Sequence, residues 1–342
     1  MGEAKTVREN SVGESGFCIG EYRSASSPFW MSGRCDIYSG VGPKNRRVLI
    51  KRLNDKAAVQ RPMVDALKAE SEALKAVAKI PVAAVPDYVD FVEEGADVAL
   101  IEEFVDGKPL TIPKRGEKFA RWRPYEVRRF LDQMLVTLRE VHRLGYVHND
   151  IKPVNILCRP NDPLRPYTLV DFGNAQHRGI AAHYRGARDV NAVVGSRATV
   201  EYSAPERSEG GPGYHCSDLY SLGILAIQLL TGADLRELNW NAQGHIGLPL
   251  YQYAKDPVLD RVLVSMTCHF PWQRYQDVDE VVRALDKQET GEILEKPVEP
   301  KRQGRNVVAI VVLAILLALS YVAWKSAMSQ YCHLSVGCSQ SR

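Results

Sequence analysis

One polar stretch restricts this chain more than any other feature. Residues 147–157 read VHNDIKPVNIL, and fourteen residues past Leu157 a short apolar run, Tyr167–Val170, leads into Asp171-Phe172-Gly173. Asp150 has the chemistry to accept a hydroxyl proton. Lys152, two residues on, can neutralise a transferring phosphoryl group. Asn155 and Asp171 are hard oxygen donors of the kind Mg²⁺ takes. Phosphoryl transfer asks mainly for positioning and charge neutralisation, and these residue types provide both. A chain carrying this toolkit must fold so that its two segments meet.

Composition sets the frame. The chain has 342 residues, 45% apolar and 25% charged, which excludes pervasive disorder, collagen-like repetition and a small disulfide scaffold. Such a chain buries a core without staples. Its net charge of +3 averages two unlike regions. Lys301, Arg302, Arg305, Lys325 and Arg342 are the only charged residues beyond position 300, so the first 300 residues are slightly acidic. Nothing in that balance suggests a nucleic-acid partner.

Periodicity outlines the body. Residues 1–27 are polar and Ser/Gly-rich and read as a loose leader. Residues 34–51 alternate toward a strand pair ending in Val48-Leu49-Ile50, and residues 62–79 carry apolar side chains at helical spacing, with Pro62 suited to a first turn. Tyr88–Val92 and Val98–Val105 read as strands around the turn signal Glu94-Gly95. A long amphipathic helix is expected from Tyr125 to Leu144, and another over 218–231. Residues 289–306, with Pro297, Pro300 and Gly304, read as a linker.

At residues 28–288 the sequence resembles the eukaryotic-like Ser/Thr protein kinases. His148-Asn149-Asp150 with Asn155 resembles the catalytic loop H-R-D-x-x-x-x-N, Asp171-Phe172-Gly173 the D-F-G motif, and Val48-Leu49-Ile50-Lys51 the V-A-I-K strand. Ala204-Pro205-Glu206 resembles A-P-E, preceded by Thr199-Val200-Glu201-Tyr202. Asp218 resembles the aspartate that braces the catalytic loop, and Arg274 the late arginine that pairs with the A-P-E glutamate. The order and spacing of these motifs make a chance match improbable.

The resemblance implies an α+β, two-lobed protein-kinase fold, with a small β-rich lobe, a larger helical lobe, and ATP with Mg²⁺ between them. Asp150 would be the catalytic base and Lys152 would steady the γ-phosphate. Lys51 would hold the α- and β-phosphates, oriented by Glu70 rather than Glu72, because Leu74 lies one helical turn beyond Glu70. Gly33, Ile37, Glu103 and Phe104 would line the nucleotide site, and Asn155 and Asp171 would bind the metal. His148, Phe172, Gly173, Thr199, Glu206, Asp218 and Arg274 would support them. Lys152 marks protein Ser/Thr side chains as the substrates.

Three departures accompany the resemblance. The glycine-rich loop aligns with Trp30–Tyr38, where Gly33 is the only glycine and none occupies a signature position. Asn149 replaces the arginine that meets an activation-segment phosphate, so activity should not depend strongly on one. Glu102 stands at the usually apolar gatekeeper position and must find a partner or a proton. A scaffold that keeps the fold without efficient transfer is the alternative to an active kinase. A small-molecule phosphotransferase is a third reading, disfavoured by the A-P-E and Asp218 motifs.

Residues 307–324, VVAIVVLAILLALSYVAW, form 18 consecutive uncharged positions. As a helix they span roughly 27 Å at ~1.5 Å per residue, enough for one transmembrane helix. Three basic residues before the run and Lys325 close behind it put the kinase domain in the cytoplasm and residues 325–342 outside. The expected location is therefore a single-pass membrane protein, in the inner or plasma membrane if the host is bacterial and tail-anchored if it is eukaryotic, with dimerisation through the span as one way to carry a signal. Gly2 and Thr6 match a short myristoylation pattern that arises often by chance. Seven cysteines show no metal-ligand spacing; Cys332 and Cys338, beyond the span, could pair in an oxidising compartment.

Overall fold

Strand parity in the first hundred residues decides which side chains face the site. The computed structural model describes residues 16–95, 97–112, 119–177, 201–234, 241, 245–247 and 250–286. Seven strands form one antiparallel sheet: β1 (Cys18–Ile19), β2 (Tyr22–Ser24), β3 (Trp30–Met31), β4 (Cys35–Val41), β5 (Arg47–Leu53), β6 (Tyr88–Glu94) and β7 (Asp97–Glu103). The order is β1-β2-β4-β5-β7-β6, with β3 paired to β4. In β4–β5 the register runs from Cys35 opposite Leu53 to Val41 opposite Arg47; in β5–β7 Lys51 lies opposite Leu100 and Leu49 opposite Glu102.

Alternate residues point to opposite faces. Val48, Ile50, Ala99 and Ile101 pack on the outer face with Tyr38. Leu53, Val98, Leu100 and Cys35 join the main core on the other face. Lys51 and Glu102 share the parity of that inner face.

Two helices follow β5: α1 (Asp55–Ala58), capped by the Asn54 side chain on the Ala57 amide, and α2 (Arg61–Val77). Pro62 sits in the first turn of α2, where its missing N–H costs no hydrogen bond. Val64, Leu67, Ser71, Leu74 and Val77 form its buried stripe, and Glu70 lies on that stripe.

The rest is mainly helical: α3 (Pro124–Arg143), α4 (Pro205–Ser208), α5 (His215–Thr231), α6 (Tyr251–Ala254), α7 (Pro257–Met266) and α8 (Val278–Asp286). The Glu126 carboxylate accepts the Arg123 N–H at 2.6 Å and closes the start of α3. Phe130, Leu131, Met134, Leu135, Leu138 and Val141 bury its inner face completely. Gly145, at φ +83°, ends this helix in a conformation that costs other residues a Cβ clash, and so aims the chain into β9 (Tyr146–Val147) and the polar stretch beyond it. Helix α5 is buried from Cys216 to Thr231, so it forms the centre of this half. Short strands β8 (Lys108–Pro109), β10 (Ile156–Cys158) and β11 (Tyr167–Leu169) form a second sheet, and β12 (Gln176–His177) pairs with β9.

The expected leader is shorter than 1–27. Its last part enters the sheet as β1 and β2, and Ile19 and Tyr22 are buried against Val92 and Ile101. Strands of two and three residues around a turn at Gly20 are too short to show a period in the sequence. Among the described residues no helix is long and apolar enough to cross a membrane. The apolar run 307–324, the linker 289–306, the tail 325–342 and its Cys332 and Cys338 lie outside the described residues.

Candidate active site

The site forms where the inner face of the large sheet meets the turn after β9. Lys51 reaches from β5 to Glu70 of α2 at 2.5 Å and to Asp171 at 2.7 Å. Glu72 is exposed, so of the two glutamates only Glu70 enters the cluster. Burial alone would lower the Lys51 pKa. The Asp171 and Glu70 charges outweigh it and hold the ammonium above its ordinary value. Burial would likewise raise Asp171, but Lys51, in contact, holds its carboxyl well below the usual carboxylate range. Both groups are therefore charged at neutral pH.

The second half of the site is the loop 148–155. Asp150 is buried, and its Oδ2 accepts from Lys152 Nζ at 2.7 Å, Asn155 Nδ2 at 3.1 Å and Asn174 Nδ2 at 3.1 Å. Asn155 also donates to the Asp150 carbonyl at 2.9 Å. Asp218, at the start of α5, holds the loop from below. Its two carboxylate oxygens accept the His148 and Asn149 amides at 2.8 Å each, and one of them also meets His142 Nε2 at 2.8 Å. His148 is buried edge-to-face on Phe172, ring centroids 4.9 Å apart.

Asn149 has φ +65° and Asp171 φ +67°. Asn and Asp both tolerate this left-handed region better than most residues. Asn149 Nδ2 donates to Val147 O and Asn174 O, both at 3.2 Å. It thus ties the loop to the residue that follows Asp171-Phe172-Gly173.

Glu206 and Arg274 meet as a fork, with two N–H···O bonds of 2.9 Å. Ser217 Oγ adds a third donor to Glu206 at 2.6 Å, and Arg274 also donates to the Cys268 and His269 carbonyls and lies over the Tyr220 ring. Among the gatekeeper and hinge residues, Glu102 is buried, and its side chain has no hydrogen bond or ion pair among the described residues. Burial pushes its carboxyl up to about 8, opposed by Lys51 and reinforced by Glu70, Asp171 and Glu103. It is mostly protonated at neutral pH, the outcome expected of a carboxyl lacking a partner.

Glu103 accepts the Asp87 amide at 3.1 Å, and the Phe104 ring lies under the Arg47 guanidinium at 4.3 Å. Ile37 lies opposite Lys51 in β4, and Gly33 is exposed in the β3–β4 turn. Thr199 lies outside the described residues. Two residues belong to the site without having been singled out by the sequence. Asn174, bound to Asp150, directly follows the D-F-G triplet, which was its only signal. Arg34, beside Gly173, lies in the stretch that reads as degraded.

The donors suit a magnesium–phosphate ligand. Asp171 is ionised, and Asn155 commits its amide nitrogen to Asp150 and keeps its oxygen for another partner. Two hard oxygens, with phosphate oxygens and water completing the shell, are what Mg²⁺ takes. No cluster of three or more His, Cys, Asp or Glu able to hold a metal occurs among the described residues.

Comparison with known proteins agrees with this geometry. Residues 34–283 match the protein kinase domain family. The chain is 28% identical over 269 residues to the serine/threonine-protein kinase PknA of Nostoc sp. (strain PCC 7120), covering 77% of this chain and 46% of that protein. It is 31% identical over 197 residues to serine/threonine-protein kinase F of Synechocystis sp. (strain PCC 6803), covering 55% and 36%. It is 30% identical over 206 residues to the serine/threonine-protein kinase pkn2 of Myxococcus xanthus, covering 60% and 24%. The chain thus spans less than half the length of these relatives. The crystal structure of the Mycobacterium tuberculosis PknI kinase domain superposes with a TM-score of 0.55 at 20% identity, over 81% of this chain and 99% of that one, and so shares its fold. The chain belongs to the protein kinase family, and the curated relatives it matches are named serine/threonine-protein kinases.

Proposed function

We propose that this chain is a membrane-anchored protein kinase that transfers the γ-phosphoryl group of ATP to Ser or Thr hydroxyls of proteins. The observation that carries this is the pair of hydrogen-bonded clusters that make up the site, Lys51 with Glu70 and Asp171, and Asp150 with Lys152 and Asn155. Asp150 Oδ2 is occupied by three donors, and Oδ1 accepts no hydrogen bond from a described residue. Oδ1 is the atom to take the substrate proton.

In the reaction the hydroxyl oxygen attacks the γ-phosphorus, the bond to the β–γ bridging oxygen breaks, ADP leaves, and the proton passes to Asp150. Lys152, 2.7 Å from Asp150, places its charge where the phosphoryl group passes. Lys51, fixed by Glu70, positions the nucleotide phosphates. Mg²⁺, held by Asp171 and Asn155, would neutralise phosphate charge when bound. The position of Lys152 relative to Asp150, and the relatives named serine/threonine-protein kinases, favour Ser/Thr substrates.

The full chain, incubated with labelled ATP, Mg²⁺ and a generic Ser/Thr substrate, tests the reading. Asp150→Ala should lower transfer by roughly 10²–10⁴-fold, the usual share of a general base. Equal labelling by wild type and variant would remove the catalytic assignment. The replaced glycines favour a second reading, a scaffold that binds partners without efficient transfer, and the same assay separates the two. The anchor is the apolar run 307–324 with its basic flank, which places the kinase domain on the cytoplasmic side of the membrane.

A further inference from the structure

The turn between β3 and β4 occupies the place of a phosphate-binding glycine loop, yet three of its backbone amides, those of Ser32, Arg34 and Cys35, are already engaged. The Ser32 amide donates to the Cys35 carbonyl at 2.8 Å. The Cys35 amide donates to Ser32 Oγ at 2.9 Å, and the Arg34 amide makes a longer bond to the same oxygen at 3.4 Å. Ser32 Oγ in turn donates to the Cys35 carbonyl at 2.9 Å. Asn54 clasps the turn from outside, its Nδ2 on Gly33 O at 3.2 Å and its amide on Arg34 O at 2.9 Å. A glycine-rich loop grips phosphate with amides that point outward together. Here three amides point into the turn itself, and Cys35 is 1% exposed in the core.

What the turn presents to the cleft is a side chain. Arg34 Nη2 lies 2.9 Å from the point that a Gly173 Cβ would fill, and Asp171 Oδ1 and Glu70 Oε2 lie 3.1 Å from the same point. The absence of a Cβ at Gly173 is what leaves the guanidinium room. Glu70 Oε2 is buried and has no hydrogen-bond partner, since Lys51 takes Oε1. Lys51 is one cation between two carboxylates, so this cluster is net negative without Arg34 and neutral with it. A nucleotide triphosphate tail carries several negative charges of its own.

We propose that Arg34 binds the phosphate tail of the nucleotide, its guanidinium supplying from a side chain the donors that a glycine loop supplies from its backbone. A guanidinium is always charged and offers five donors in a planar fork that matches phosphate oxygens. Ser32 and Asn54 hold the backbone of the turn at Arg34, which fixes where its side chain starts. The inference rests on the ATP-dependent reading above.

Equilibrium binding to the full chain in detergent tests it, with adenosine, ADP and the non-hydrolysable analogue AMP-PNP in Mg²⁺ buffer as probes. In Arg34→Ala, AMP-PNP binding should weaken by about ten- to a hundredfold, the loss expected for a charge-assisted pair. Adenosine affinity should stay within about twofold, which also shows that the site is still folded. Arg34→Lys should restore part of the loss, because it keeps the charge but not the fork. The salt dependence of AMP-PNP binding should flatten in Arg34→Ala. If Arg34→Ala binds AMP-PNP as tightly as wild type, or more tightly, the proposal is overturned. Adenosine affinity lost in parallel with AMP-PNP would overturn it too, by showing a purely structural role. A wild type that binds neither adenosine nor AMP-PNP overturns the nucleotide reading itself, a distinct result.

Discussion

Single residues carry the departures of this chain from its family, and each departure has a local physical consequence. Glu102 puts a carboxyl on the inner face of the sheet where burial raises its pKa to about 8. Because the folded state holds this proton more tightly than the unfolded chain, stability falls as pH rises from about 4.5 through about 8. Lys51, Glu70, Asp171 and Glu103 face the group, and Lys51 alone opposes the shift. In Glu102→Gln this slope disappears. Thermal melts at pH 5 and pH 8.5 should show the variant gaining on wild type by several °C as the pH rises. A gap that does not change with pH would show that Glu102 is ionised throughout. At the same scale, Lys51→Met should leave Glu70 and Asp171 without their cation and abolish phosphotransfer in the labelled-ATP assay while the protein remains soluble. The ion-pair geometry of Lys51 was legible in the sequence because V-L-I-K has a fixed place on a strand. The choice of Glu70 over Glu72 rested on helical spacing, and burial agrees with it. Asn174 and Arg34 were not legible, because what brings them in is a contact between segments far apart in sequence.

At the scale of elements, two ties hold the helical half around the site. Asp218 joins the start of α5 to the loop 148–150, and Arg274 joins the segment after α7 to α4 through Glu206. The Arg274 side chain is fully buried, and Glu206 is 14% exposed. Breaking such a pair from one side leaves a desolvated charge, so Arg274→Ala should cost roughly 3–5 kcal/mol. Urea melts measure this as a lower midpoint. An unchanged midpoint would mean that water replaces the fork. A third tie concerns activation. Asn149 binds the residue after D-F-G through its amide, with no charge that calls for a phosphate. Phosphatase-treated protein should therefore keep most of its activity towards a peptide substrate. Near-complete loss would show that a phosphate is required after all. Long helices α2, α3 and α5 were visible in the sequence, because 17 to 20 residues of apolar spacing are a strong signal. The short strands β1, β2 and β3 were hidden, because two or three residues carry no period and pair only through the sheet.

For the whole molecule, charge and hydropathy divide the chain into a slightly acidic body and a basic, apolar end. If residues 307–324 span a bilayer, the full chain should resist alkaline carbonate extraction, and a chain ending at residue 300 should appear in the soluble fraction with its kcat/KM for a peptide substrate retained. Extraction of the full chain by carbonate would rule the anchor out. What the sequence by itself determined is the order of the site: the aspartate proposed as catalytic base, the residues proposed as metal ligands, the strand lysine and the bracing pairs all sit in short motifs whose spacing is local. What only the tertiary structure decided is how the altered turn 32–35 works. Its amides turn inward on Ser32, and Arg34 approaches Gly173, Asp171 and Glu70. No local pattern encodes that outcome. It depends on the missing Cβ of Gly173, on Asn54 holding the turn, and on carboxylates from two other segments whose charge favours a guanidinium in reach.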